Sequence, residues 1–316
     1  LSLLTAAATL EPHADAQGAL AISPVAIPFK TVDQEETVKR CIDLLRQPRA
    51  VLVLTADRGR GKSAALGILS AVIMKKGLAE TRAVWKSTDA ERSGDINGHV
   101  EIILTAPSRG AVQSVITMLE RLLPAGLLVH QRDCWVFGRN RLRFMLPDQL
   151  LQQQPEADLL LIDEAAAIPA PVLLGLLEYR RVIFASTLHG YEGTGQGFAV
   201  RFMPYLNRIV PERQLLTMQQ PVRWAEDDPL ERFTYQALLL DAEPANLSFC
   251  PRDSAAVRFR KLDRDQLVAD NEMLKQLFGL LILAHYRTTP GDLRILLDSP
   301  NIEVWAGFIG SEDESQ

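Results

Sequence analysis

Two apolar runs, Val51-Leu52-Val53-Leu54 and Leu159-Leu160-Leu161-Ile162, are uninterrupted by any polar residue, and each breaks off into residues of a different kind. Such runs suit strands buried on both faces of a parallel sheet. Val100 to Thr105, Arg181 to Thr187 and Leu215 to Met218 predict further strands of the same sheet. Between them lie segments of helical period. Thr31 caps a helix whose first turn is acidic; a helix from Lys62 is predicted to run to about Lys76, where Gly77 stops it; another spans Gly110 to Leu123. This alternation predicts an α/β fold with a mainly parallel sheet.

The remainder is less regular. Residues 1–29, with Pro12, Pro24 and Pro28, read as a linker or the tail of a preceding domain, and polar residues 80–98 as a surface insertion. After Asp241 the periodicity weakens. A single helix is predicted from about Arg264 to Ala284, a short one ending near Asp298, and a strand at Asn301 to Ile309 that has no partner in the chain.

Composition narrows the class. The 316 residues carry a formal charge of −5, so nucleic-acid contact must come from a local basic surface. Arg139, Arg141 and Arg143 alternate along a strand, and both a solvent-facing and an RNA-facing reading stay open; the Thr105-Ala106-Pro107-Ser108 turn is either a segment at a nucleic-acid groove or an ordinary strand-to-helix turn. Cys41, Cys134 and Cys250 are too few and too dispersed for a disulfide framework or a zinc site, which makes a reducing cytoplasm the default expectation. No apolar run is long enough for a membrane span. The start at Leu1, without Met or a basic leader, predicts no signal peptide and a piece of something longer.

The chemistry concentrates where the two apolar runs end. Asp57-Arg58-Gly59-Arg60-Gly61-Lys62-Ser63 follows the first, a Walker A pattern with Ala56 in place of its first glycine. Gly59 and Gly61 let backbone N–H groups converge on an anion at a helix start. Lys62 would then reach the β- and γ-phosphates of ATP, and Ser63 would hold Mg²⁺. Asp163-Glu164 closes the second run: Asp163 would bind Mg²⁺ through water and Glu164 would polarise the attacking water. Gln34 is either an adenine reader or a solvated helix residue, Arg223 either touches phosphate or makes a surface ion pair, and the glycines of Gly190 to Phe198 make a mobile loop or a plain linker.

Gly59 through Gly67, Asp163 through Pro171, Gly190 through Phe198, Gln220 through Trp224 and Ala284 through Thr288, in that order, resemble the tRNA(Met) cytidine acetyltransferase family from about residue 30 onward. The resemblance implies a RecA-like P-loop helicase or ATPase lobe at 30–240, a connecting helical segment at 241–283 and the beginning of a GNAT acetyltransferase domain at 284–316. It also implies that the parent enzyme forms N4-acetylcytidine at the wobble position of elongator tRNA(Met) from ATP and acetyl-CoA. The nucleotide contacts it implies are Gln34, Gly59, Arg60, Gly61, Lys62, Ser63, Ala64, Ala65, Leu66, Gly67, Ile68 and Arg223. The CoA-binding turn of such a domain and the tRNA-binding tail have no counterpart in these residues, so this chain is expected to hydrolyse ATP without transferring acetyl groups. A free-standing helicase and a nucleotide-sensing scaffold without turnover are the alternatives.

Overall fold

The structure, a computed structural model, describes residues 29–45, 47–85, 99–187, 198, 202–242, 257–284 and 289–309, with side chains of the second helix described only as far as Lys75. Helix α1 (Val32–Leu44) starts at Thr31, whose hydroxyl accepts from Gln34 N–H. Strand β1 (Ala50–Ala56) leads into α2 (Lys62–Trp85); β2 (Glu101–Thr105) follows, then a 3-10 turn at Arg109–Val112 and α3 (Gln113–Leu122). A hairpin of β3 (Leu128–Gln131), β4 (Cys134–Phe137) and β5 (Asn140–Phe144) precedes α4 (Pro147–Gln153), β6 (Leu159–Ile162), α5 (Ala170–Gly175), β7 (Arg181–Thr187), α6 (Met203–Ile209) and β8 (Gln214–Met218).

These eight strands form one sheet in the order β3-β4-β5-β2-β6-β7-β1-β8. The run from β5 to β8 is parallel throughout, and the antiparallel β3–β4 ribbon extends one edge. Alternate residues of β1 feed two cores: Leu52 and Leu54 pack with α1, α2 and α3, while Val51 and Val53 pack with the α4–α6 face. That double burial is why the strand reads as a continuous apolar run. The order sets β7 between β1 and β6, so side chains at the C-terminal ends of β1 and β6 meet across one intervening strand. The result is an α/β lobe built on one mainly parallel sheet.

Helix α7 (Pro229–Leu238) leads out of the lobe, and a second unit follows: β9 (Val257–Leu262), α8 (Arg264–Ala269), α9 (Asn271–Ala284), α10 (Pro290–Asp298) and β10 (Val304–Ile309). It has its own core, with Phe278 fully buried among Leu267, Leu274 and Ile282.

Three expectations change. Gly77 does not end α2, which continues to Trp85: an interior glycine costs a helix about 1 kcal/mol, and no proline follows to stop it. The single helix over Arg264 to Ala284 is two, because Asp270 leaves helical geometry and its carboxylate accepts from Met273 N–H. The strand near the end has a partner after all, since β10 pairs antiparallel with β9 from Val304↔Leu262 to Ile309↔Val257. Arg139 and Arg141 are exposed and Arg143 half-buried, as the solvent-facing reading has it, and Arg141 and Arg143 also converge on the buried Glu101 across the β2–β5 pair, Arg141 Nε at 2.6 Å. Residues 86–98 and the glycines of 190–197 lie outside the described residues.

Candidate nucleotide site

The loop between β1 and α2 turns at Gly59 (φ 82°) and Gly61 (φ 83°), a left-handed geometry that glycine adopts without strain. With Arg60 between them, this makes the nest that orients backbone N–H groups at an anion, in line with the positive end of α2. The loop is clasped from both sides. Val222 N–H donates to Gly59 O at 2.9 Å, and a Cβ at Gly59 would come within 2.4 Å of Trp224 Cη2. On the other side the Gln34 amide donates to Gly61 O at 3.3 Å and accepts from Lys30 N–H at 3.0 Å. Gln34 is 1% exposed, so it is no solvated helix residue; in this structure its amide braces the loop.

Lys62, Ser63, Asp163 and Glu164 come together at the C-terminal edge of the sheet. Lys62 is buried, its Nζ donating to Thr187 Oγ1 at 3.1 Å and standing 3.7 Å from Glu164 Oε1. Thr187 in turn donates to Glu164 Oε2 at 3.3 Å. Thr187 enters the sequence reading only as the end of a predicted strand, not as a site residue; the end of an apolar strand next to the phosphate loop's own strand is the signal that would have found it. Glu164 sits at φ 49°, ψ 46°, a conformation that costs a non-glycine residue about 1 kcal/mol and lifts its carboxylate off the strand direction.

Asp163 is fully buried. Burial pushes its carboxyl up to about 6, against the opposing pull of Lys62 and of a hydrogen bond with Ser63. Oδ1 accepts from Glu164 N–H at 3.0 Å, while Oδ2 has no hydrogen-bond partner. A buried carboxylate oxygen without a partner, on a group touching a serine hydroxyl, is a donor set that fits a hard divalent cation. Two protein oxygens do not complete an Mg²⁺ shell, which is the usual case where phosphate oxygens and water supply the rest.

The remaining predicted contacts divide. Arg60 turns its guanidinium to Glu231, at 2.6 Å, and over the Trp224 ring. Arg223 is exposed, beside the two residues that clasp the loop. Ala64 is in the first turn of α2, where backbone N–H groups lack helical acceptors. Ala65 N–H is bonded to Gly61 O, the side chains of Ala65, Leu66 and Ile68 are in the core, and a Cβ at Gly67 would strike Val115 O at 2.4 Å, so the side-chain positions here serve helix packing. A cavity of about 510 Å³, with Lys30, Thr31, Gln220 and Pro221 in its walls, opens next to the clasp.

A glycine nest at a helix start, a buried lysine and an acidic pair one strand away define a P-loop nucleotide-binding lobe. The sequence profile described as "RNA cytidine acetyltransferase NAT10/TcmA, helicase domain" matches residues 53–241, and the chain belongs to this family. Proteins named tRNA(Met) cytidine acetyltransferase TmcA are similar to most of it. The one from Nitrosococcus halophilus is 42% identical over 87% of this chain and 34% of its own length. That from Vibrio cholerae is 38% identical over 82% of this chain and 33% of its own, and that from Pyrococcus abyssi 36% identical over 87% and 32%. The chain thus spans about a third of the length of the curated relatives it matches. Among solved structures, the large terminase from a thermophilic bacteriophage aligns with 65% of this chain and 50% of its own at 14% identity and a TM-score of 0.41.

Proposed function

We propose that this chain binds and hydrolyses MgATP as the motor module of a tRNA(Met) cytidine acetyltransferase. The observation that carries the reading is the meeting of Ser63 with the buried, half-satisfied Asp163, beside the Lys62–Thr187–Glu164 chain of contacts. Lys62, now matched to Thr187 and Glu164, exchanges those partners for the γ-phosphate and neutralises it as charge builds on the equatorial oxygens. Glu164, freed from Lys62, accepts a hydrogen bond from a water placed in line with the bond to be broken. That water's oxygen bonds to the γ-phosphorus as the bond to the β,γ-bridging oxygen breaks, and its proton leaves through Glu164. Ser63 and Asp163 would hold Mg²⁺, which when bound neutralises phosphate charge. The cavity between Lys30 and Pro221 is the space for the nucleoside, with Gln34 acting through the loop and Arg223 reaching the phosphates from the clasp.

For the whole protein the family supports a wider reading: N4-acetylation of the wobble cytidine of elongator tRNA(Met) in the cytoplasm, with acetyl-CoA bound by a GNAT domain in cis that begins near residue 284. ATP turnover would seat or remodel the tRNA for that domain. Among the described residues no helix is long and apolar enough to cross a membrane. Steady-state phosphate release by the purified chain, with and without tRNA, tests the core of the proposal. Lys62→Ala is expected to abolish turnover, and equal release by variant and wild type refutes the site. Nucleotide binding without any release supports a sensing scaffold instead.

A further inference from the structure

The residues assigned to hydrolysis leave unexplained why the phosphate loop is anchored to a helix outside the sheet lobe. Helix α7 starts at an Asp228 cap, and Glu231 follows one turn in with a side chain only 14% exposed. Both of its carboxylate oxygens are engaged: Oε1 accepts from Arg60 Nη1 at 2.6 Å and Oε2 from Trp224 Nε1 at 2.7 Å. Four residues on, Tyr235 hydrogen-bonds to Asp57; burial and that carboxylate raise its phenol above the ordinary value. One helix therefore grips the loop on both limbs, before Gly59 and after it.

The far end of the same helix is built into the other unit. Leu239 and Ala242, immediately beyond α7, are buried in the core that contains Leu274 and Phe278 of α9. Asp241 Oδ2 accepts from Lys275 Nζ at 2.7 Å. A helix of this length, about 15 Å at 1.5 Å per residue, thus has a charged, hydrogen-bonded contact with the loop at one end and an apolar one with the C-terminal core at the other.

We propose that Glu231 is a positioning residue for the phosphate loop and that α7, through it, couples the state of that loop to the C-terminal unit. The ligand-dependent half of this rests on the nucleotide reading of the site. Arg60 sits inside the nest, between the two left-handed glycines, and has one guanidinium to give. In this structure it goes to Glu231 and the face of Trp224. A polyphosphate in the nest is a competing anion a few atoms away, so occupancy draws Arg60 from Glu231 and releases one end of α7. A ligand shifts a second site only through contacts that differ between two states, and the shared arginine is such a contact.

Amide hydrogen exchange on the purified chain tests the coupling in segments 57–66 and 271–284, without ligand and with Mg²⁺ plus a non-hydrolysable ATP analogue. Wild type, Glu231→Gln and Glu231→Asp are compared, with Lys62→Ala as the non-binding control. Without ligand, Glu231→Gln is expected to speed exchange at least about threefold in both segments, because the helix loses its charged anchor. On adding the analogue, wild type changes exchange in both segments, whereas Glu231→Gln responds at 57–66 alone. Because Arg60 no longer has to leave a carboxylate, the variant's KM for ATP falls several-fold with kcat little changed, and Glu231→Asp returns KM part of the way to wild type, which a general folding defect would not produce. Exchange at 271–284 that is the same in Glu231→Gln and wild type under both conditions overturns the proposal. If wild type shows no response to the analogue at all, the nucleotide reading fails, and the ligand-free comparison alone decides the coupling.

Discussion

The sheet lobe and the C-terminal unit both bury large apolar side chains completely, Phe184 and Phe202 in one and Phe278 in the other. Polar burial separates them. Among the described residues every buried polar or charged side chain, from Gln34 to Ser186, belongs to the lobe. Within the lobe the two edges of the sheet differ again. At the N-terminal edge the buried polar residues are matched by side chain or backbone: Asn140 accepts from Val100 N–H at 2.9 Å and donates to Met74 O at 2.7 Å, Arg181 donates to Gln47 O, and Glu101 holds Arg141 and Arg143, although the half-buried Tyr179 and Arg213 each leave one atom unpartnered. At the C-terminal edge Asp163 Oδ2 and Thr105 Oγ1 have no partner. Burying a polar atom unmatched costs about 1–3 kcal/mol. Tyr179 Oη and Arg213 Nε, beside the opposite edge, are unmatched too, but Asp163 alone among the described residues is a fully buried carboxylate with a free oxygen, and that marks where a cationic ligand is expected.

Mutations can break this contrast, and the largest effect is expected at the unmatched edge. Glu164→Gln should lower phosphate release about a hundredfold or more while leaving nucleotide affinity within a few-fold, seen by pairing turnover with equilibrium binding. In the C-terminal unit Phe278→Ala should cost about 3–5 kcal/mol of that unit's stability, measured by denaturant titration. Gly59→Val should cost about 1–3 kcal/mol, since it meets both the left-handed φ and the Trp224 ring, and Trp224→Ala should restore the steric part. At the matched edge Glu101→Gln should cost about 1 kcal/mol in thermal unfolding, because Arg141 and Arg143 are each about a third or more exposed and water takes up much of the lost charge, with turnover unchanged. Trp305→Ala, on the exposed face of β10, should stay within about 0.5 kcal/mol.

The sequence made the unmatched edge legible because its chemistry is local. The run Val51 to Ser63 holds strand, nest and helix start within a few residues, and Asp163-Glu164 follows its strand directly. Burial on both faces erases alternation, so these strands stand out as solid apolar blocks. The C-terminal unit hides for the opposite reason. Strand β9 is Val257-Arg258-Phe259-Arg260-Lys261-Leu262, mostly exposed, and neither its polarity nor its aromatic residue points to a partner about 45 residues away. Helix α7 has no counterpart in the sequence reading, and the reason for its position, Glu231 against Arg60, spans 171 residues and is visible only once folded. Leu66, Gly67 and Ile68 belong to the implied nucleotide set by family resemblance alone, and the packing of Leu66 and Ile68 into the core and of Gly67 against α3 is legible only in the fold.

Equilibrium titration with ATP, with and without Mg²⁺, in wild type and Asp163→Asn tests the central claim most directly. The site described here predicts that Mg²⁺ tightens ATP binding to wild type at least about tenfold and that Asp163→Asn removes this gain. An equal Mg²⁺ effect in both proteins, or no ATP binding by wild type, would contradict it.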